Sequence, residues 1–243
     1  MSRPRLRAIW AAALVALGGA ACVSAPPPDE AHAATTTAAE PVPAETGTLV
    51  GESLERHTRE VTVRVRNVGC YALATGSGIA IGPDVFVTNH HVTEGAKELQ
   101  VTTWDGRSLA VSVSAVSVSN DLSVVRVAGQ LPAVADVVAA EPERGDRVTA
   151  VGYPGGGEIT FSTGRIVDLV DGRAFGETGK VIRATSTVRP GNSGGPLLDA
   201  EGRVIGVVYA YEAATDYALA IPAATLLRER SRTAPLELDD CER

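Results

Sequence analysis

The chain is predicted to fold as an all-β domain in two halves, closed by one short helix near its C-terminal end. Three observations carry this. Short apolar stretches recur from Val61 to Ile221, punctuated by Gly-, Pro- and Asp-bearing turns. Some alternate strictly, as Val61-Thr62-Val63-Arg64-Val65-Arg66 does, the pattern of a strand with one buried face. A Pro- and acid-containing connection from about Gly129 to Gly145 then separates two sets of strands. Only residues 223–232, after Pro222, read as helix.

The 243 residues suffice for one large β domain or two small ones. Hydrophobic residues make up 44% and aromatics only 4%, so the core must be built from Val, Ile, Leu and Ala. The net charge is −7, and it falls by three more once Arg3, Arg5 and Arg7 leave with a leader. An acidic chain without a basic cluster argues against nucleic acid as a partner and against an electrostatic hold on anionic lipid.

Residues 1–21 have the form of an export signal, with three arginines and then an apolar run from Ala8 to Ala21. That run is shorter than the ~18–20 residues needed to cross a bilayer. It ends Gly18-Gly19-Ala20-Ala21-Cys22, which resembles a bacterial lipobox with Cys22 as the lipidated residue, although Gly19 stands where a larger apolar residue is commoner. The alternative is a secreted chain cut after Ala31-His32-Ala33. Residues 22–52 are rich in Ala, Pro and Thr and lack apolar periodicity, which suits a flexible tether. The domain is expected over 53–243, with a helical turn or lead-in at Glu52–Arg59.

Strands are then expected at Val61–Arg66, at Ile79–Ile81 after Gly76-Ser77-Gly78, and at Val85–Thr88 after the turn Gly82-Pro83-Asp84. Further strands are expected at Leu99–Thr103 and Leu109–Val118, joined through Trp104-Asp105-Gly106-Arg107, and at Leu122–Val127. The second set comprises Arg147–Gly152, Glu158–Leu169, Val181–Thr185, Val204–Tyr211 and Tyr217–Ile221.

One stretch stands apart: Pro190-Gly191-Asn192-Ser193-Gly194-Gly195-Pro196-Leu197. A serine flanked by glycines can present its hydroxyl while consecutive backbone N–H groups converge on one point. A nucleophile attacking a carbonyl needs both features. Such a serine also needs a base and a carboxylate that orients the base. His91, at the end of an apolar strand, is the candidate base, with His90 as its rival. Asp121, at the mouth of the strand Leu122–Val127, is the candidate orienter; the plainer reading is an Asx turn with Asn120. The chain order His, Asp, Ser excludes the subtilisin and α/β-hydrolase orders. Cys and His are not grouped with zinc-ligand spacing, and Gly155-Gly156-Gly157 is not part of a phosphate-binding loop. No metal or organic cofactor is expected.

Thr88-Asn89-His90-His91-Val92, Asn120-Asp121-Leu122-Ser123-Val124-Val125 and Gly191-Asn192-Ser193-Gly194-Gly195-Pro196 resemble the three catalytic blocks of chymotrypsin-fold serine proteases. The pattern is most similar to the bacterial trypsin-like branch that includes the HtrA proteases, and within it to actinobacterial envelope proteases. The multi-span membrane region and the PDZ domain of such relatives are not expected here.

The resemblance implies two six-stranded-type antiparallel barrels with His91, Asp121 and Ser193 in the cleft between them. It implies Gly191 and Ser193 as oxyanion donors through their backbone N–H groups. It implies a substrate pocket involving Thr187, Val208, Tyr209, Ala210 and Tyr211, together with Ala218–Ala220, with no carboxylate at its base. Cysteines of these relatives placed like Cys70 and Cys241 imply a disulfide between those two. The expected activity is cleavage of peptide or protein substrates in the envelope, by a monomer held to the membrane through an N-terminal lipid. The alternative is a catalytically weak binding or chaperone module on the same fold.

Overall fold

A computed structural model describes residues 51–117, 120–230, 234–235, 238 and 240–241. The expected leader, Cys22 and the tether up to residue 50 lie outside the described residues.

Helix α1 (Glu52–Val61) opens the domain, carrying an Arg59–Glu55 ion pair at 2.7 Å on its exposed side. It runs to Val61, a residue the alternation had assigned to the first strand, and Thr62 hands over by donating its hydroxyl to the Thr58 carbonyl. Six strands follow: β1 (Thr62–Gly69), β2 (Leu73–Gly82), β3 (Val85–Asn89), β4 (Ala96–Thr102), β5 (Ser108–Ser117) and β6 (Leu122–Ala128). They pair antiparallel in the order β4-β1-β2-β3-β6-β5, and β5 closes back on β4. Helix α2 (His90–Thr93) is a single turn that interrupts the path from β3 to β4.

The second set is β7 (Arg147–Gly152), β8 (Thr160–Asp171), β9 (Lys180–Ala184), β10 (Pro196–Leu198), β11 (Val204–Glu212) and β12 (Tyr217–Pro222). These form a closed antiparallel barrel in the order β10-β11-β12-β9-β8-β7. Helix α3 (Ala223–Glu229) follows, and β13 (Ala234–Pro235) adds to the outer side of β5.

β10 and the first half of β2 escaped the sequence pattern. β10 is only three residues long, too short to show a period. It nevertheless closes the second barrel by pairing Leu197 with Ala150 of β7. The Gly-Ser-Gly before Ile79, expected to precede a strand, lies inside β2, opposite Val65, Arg64 and Val63 of β1.

Each barrel has a largely aliphatic core. Val63, Val65, Phe86, Val101 and Val125 fill the first; Val148, Ile166, Ile182, Leu197 and Ile205 fill the second. A third cluster welds the two: Ile79, Val87 and Leu122 of the first meet Val151, Val207, Leu219 and Ile221 of the second. The connection after β6 runs along this seam and makes a parallel bridge, Val137 to Val204. Barrel closure leaves few free strand edges and gives the cleft two stiff walls.

Candidate active site

α2 starts directly after β3, so His90 and His91 sit on successive positions of one helical turn and face different ways. His91 meets Asp121. Its Nδ1 lies 2.7 Å from Asp121 Oδ2, and its backbone N–H donates to Asp121 Oδ1 at 2.9 Å. The Nδ1 of His90 is buried without a hydrogen-bond partner among the described residues. Asp121 is held from behind as well: its carbonyl accepts from Asn89 Nδ2 and from the His90 N–H, both at 3.0 Å. Its φ of 44° places it in the left-handed region, a modest cost that aspartate tolerates better than most residues. Four hydrogen bonds to one residue keep it there. The Asp121 side chain is 17% exposed and that of His91 46%, so the imidazole stands at the edge of the cleft.

Ser193 comes from the loop between β9 and β10. Gly194 must be glycine: φ is +88°, and a Cβ would lie 2.1 Å from the Ser77 carbonyl oxygen. The loop is pinned at the Gly194 N–H, which donates to the Val208 carbonyl at 2.7 Å, and at the Ser193 carbonyl, which accepts from the Ser77 N–H at 2.7 Å. The Ser193 hydroxyl donates to the Tyr209 carbonyl at 3.1 Å. It makes no hydrogen bond to His91 among the described residues. The N–H groups of Gly191 and Ser193 likewise make no backbone hydrogen bond among the described residues.

Beside Ser193 lies a pocket of about 260 Å³ whose lining includes Val188, Arg189, Asn192, Val208, Tyr209 and Ala210. Thr187, expected in the pocket, stands outside it. Neighbours in an extended segment point to opposite sides, so Val188 turns inward, while Thr187 is exposed and its N–H donates to Ser162 Oγ. Ala218–Ala220 are buried in β12 and do not line it either. Arg189 is engaged with Asp216 at 3.2 Å and with the Val188 carbonyl at 2.9 Å.

Behind Asp121 lies a second carboxyl that the sequence did not mark. Glu177 follows a 3-10 turn (Gly172–Phe175) between β8 and β9 and is only 6% exposed. Burial is the main cause that pushes its carboxyl up to about 7; the Asp121 charge adds to the effect and His91 opposes it. The adjacent Thr178 donates its hydroxyl to Asn120 Oδ1 at 3.1 Å, tying this loop to the neighbour of Asp121. The buried Tyr209 hydroxyl is pushed upward by burial first, then by Glu177 and Asp121. Nothing in local sequence distinguishes Glu177 from a surface glutamate.

Cys70, at the end of the β1–β2 hairpin, is bonded to Cys241, with Cα atoms 5.6 Å apart. No group of three or more His, Cys, Asp or Glu that could hold a metal ion occurs among the described residues. No helix among them is long and apolar enough to cross a membrane.

Two closed six-stranded barrels with the Ser193 loop at their seam form the chymotrypsin fold. The chain belongs to the trypsin-like peptidase family, whose domain model matches residues 76–207. Among curated relatives, serine protease Rv3671c (MarP) of Mycobacterium tuberculosis is 34% identical over 179 residues, 70% of this chain and 45% of that protein. The putative serine protease HhoB of Synechocystis is 39% identical over 160 residues, 62% and 38% of the two chains. The chain thus spans less than half the length of these relatives. The active form of the Rv3671c protease superposes with a TM-score of 0.69 at 26% identity, covering 76% of this chain and 86% of that one. Its inactive form gives 0.64 at 29%, covering 74% and 91%.

Proposed function

We propose that this chain is a serine endopeptidase acting through an acyl-enzyme. Ser193 attacks the substrate carbonyl, and its proton passes to His91 Nε2. Asp121, on the Nδ1 side, keeps the ring in the tautomer with Nε2 free and stabilises the imidazolium. The N–H groups of Gly191 and Ser193 receive the oxyanion. His91 then returns the proton to the leaving amine, and water hydrolyses the ester by the same steps in reverse. The observation that carries this is the doubly bonded His91–Asp121 pair across the cleft from the Ser193 loop. Labelling of purified protein by a fluorophosphonate, absent in Ser193→Ala, is the expected result; an unlabelled wild type would refute it.

One observation favours a second reading, a binding or chaperone module with little turnover: the Ser193 hydroxyl is bonded to the Tyr209 carbonyl rather than to His91. The same labelling experiment separates the two, because such a module does not react.

The site of action is proposed to be the envelope, with Cys22 as a lipid anchor; the probable periplasmic DegP-like endoproteases among the relatives support an exported location. Cys22→Ser should release the protein from the detergent phase or leave an unprocessed precursor. A wild-type N-terminus at Ala34 in the medium would show the plain secretory route. Peptides or proteins are the proposed substrates, and the monomer is the proposed working unit.

A further inference from the structure

Ser77 of β2 is completely buried, and its N, O and Oγ atoms all hydrogen-bond to groups outside the β-ladders. Its N–H donates to the Ser193 carbonyl at 2.7 Å, and its carbonyl accepts from Thr88 Oγ1 at 2.6 Å. Its hydroxyl lies 2.9 Å from the Tyr153 backbone nitrogen and 2.7 Å from the Gly191 carbonyl oxygen. The direction of these two bonds follows from chemistry. The Tyr153 N–H can only donate, so the hydroxyl accepts there and its own proton goes to the Gly191 carbonyl.

The same short turn, Tyr153 to Gly156, reaches the other side of Gly191. The Gly155 N–H donates to the Pro190 carbonyl at 2.8 Å. In a trans peptide the C=O and N–H point in opposite directions. Holding the Pro190 carbonyl toward Gly155 therefore turns the Gly191 N–H away, toward the cleft. The next peptide is fixed likewise, with the Gly191 carbonyl on Ser77 Oγ and the Asn192 N–H on the Arg189 carbonyl at 3.0 Å. Gly191 itself has φ +102°, and a Cβ there would lie 2.4 Å from the Tyr153 carbonyl oxygen and 2.6 Å from Gly155 N. The turn and the nucleophile loop are in direct backbone contact, and the Ser77 hydroxyl bonds to both.

We propose that Ser77 is a positioning residue for the oxyanion site: its hydroxyl couples the Tyr153–Gly156 turn to the Gly191 carbonyl and thereby holds the Gly191 N–H on the developing oxyanion. This rests on reading Gly191 and Ser193 as oxyanion donors. Ser77 touches no substrate. Its loss removes one of the two hydrogen bonds that fix the peptide after Gly191 and leaves the buried Tyr153 N–H and Gly191 C=O without their Ser77 partner. The Gly155–Pro190 bond is then left to hold the donor peptide without the Ser77 tie beside it, and the aim of the Gly191 N–H loosens.

Two variants test it. Ser77→Ala removes the hydroxyl and leaves a small void; Ser77→Cys fills the space with a weak donor. Losing an oxyanion donor outright costs about 10²–10³ in kcat; a misaimed one should cost both variants about 10- to 100-fold, with KM within about twofold. Affinity for a peptidyl trifluoromethyl ketone, which forms a tetrahedral adduct, should weaken in parallel, while affinity for a cleaved product peptide stays unchanged. A packing role would instead spare Ser77→Cys and weaken ketone and product alike. If the wild type turns over and Ser77→Cys keeps wild-type kcat, or loses kcat without losing ketone affinity, the inference is wrong while the protease reading stands. A wild type that neither turns over nor reacts with a fluorophosphonate brings down both. Should Ser77→Ala lose its thermal transition, Ser77→Cys carries the test.

Discussion

The hydroxyl of Ser193 points to the Tyr209 carbonyl at 3.1 Å while His91 is held on Asp121 at 2.7 Å. Asp121 thus fixes the ring of the proposed base, while the hydroxyl of the proposed nucleophile is bonded to a backbone carbonyl. The proposed mechanism requires the Ser193 hydroxyl to leave the Tyr209 carbonyl for His91 Nε2.

The triad should behave as a unit. Ser193→Ala and His91→Ala should each abolish turnover, with the double variant little worse. Asp121→Asn should keep the fold and lower kcat by on the order of 10⁴, because the amide favours the wrong imidazole tautomer. His90→Ala should retain turnover, since it is the His91 ring that bonds to the Asp121 carboxylate, while the His90 Nδ1 has no hydrogen-bond partner among the described residues. Steady-state kinetics on one peptide substrate checks all five variants; activity kept by His91→Ala and lost by His90→Ala would reverse the assignment of the base.

Substrate preference follows from the pocket. Val188, Val208 and Ala210 line it, and Arg189, which also lines it, is paired with Asp216. No carboxylate lines the pocket to receive a cation. Small or medium apolar P1 residues should dominate a peptide-library cleavage profile, and Ala210→Phe should shift it to the smallest of them. A profile dominated by P1 Arg or Lys would contradict this.

The Cys70–Cys241 bridge spans 171 residues of sequence. Chain-entropy reasoning assigns a loop of that size up to ~4–5 kcal/mol through the unfolded state. Cys241→Ser should therefore lower the Tm and speed proteolysis while leaving the kcat of the intact protein close to wild type. Thermal denaturation with and without reductant reads this out: wild type should fall to the level of the variant when reduced, and the variant should not respond.

Glu177 makes stability depend on pH. Its carboxyl sits at about 7 in the fold against an ordinary 4.5. Between these values the folded chain holds a proton that the unfolded chain has released, so the stabilising difference is full below the lower value and is lost as pH rises through the upper. Glu177→Gln stays neutral and lacks this loss. The Tm of wild type should thus drop relative to the variant between about pH 4.5 and 7 and then level off. Parallel curves across that range would remove Glu177 as the cause.

Much of the architecture was legible locally. Val61–Arg66 shows its strand character through side-chain alternation and Leu122–Val127 through its apolar content, properties of each segment by itself, and each overlaps an observed strand, starting within one residue of it. His91, Asp121 and Ser193 could be singled out because each sits in a restrictive local setting: an apolar strand end, a strand mouth, a glycine-flanked serine. What local pattern could not decide is which groups meet. β10 has three residues and exists only because β7 and β11 bracket it. Val188 rather than Thr187 faces the pocket because barrel closure chose that side. Glu177 is buried, and raised toward neutrality, only because the β8–β9 loop folds back onto Asn120. Ser77 looks like one more residue of a glycine-rich turn until β2 is laid beside the Ser193 loop, more than a hundred positions away in the chain. Alternation and turn chemistry act between neighbours in sequence and so are written there. Hydrogen bonds across the seam of two barrels depend on register and closure, which only the folded chain sets.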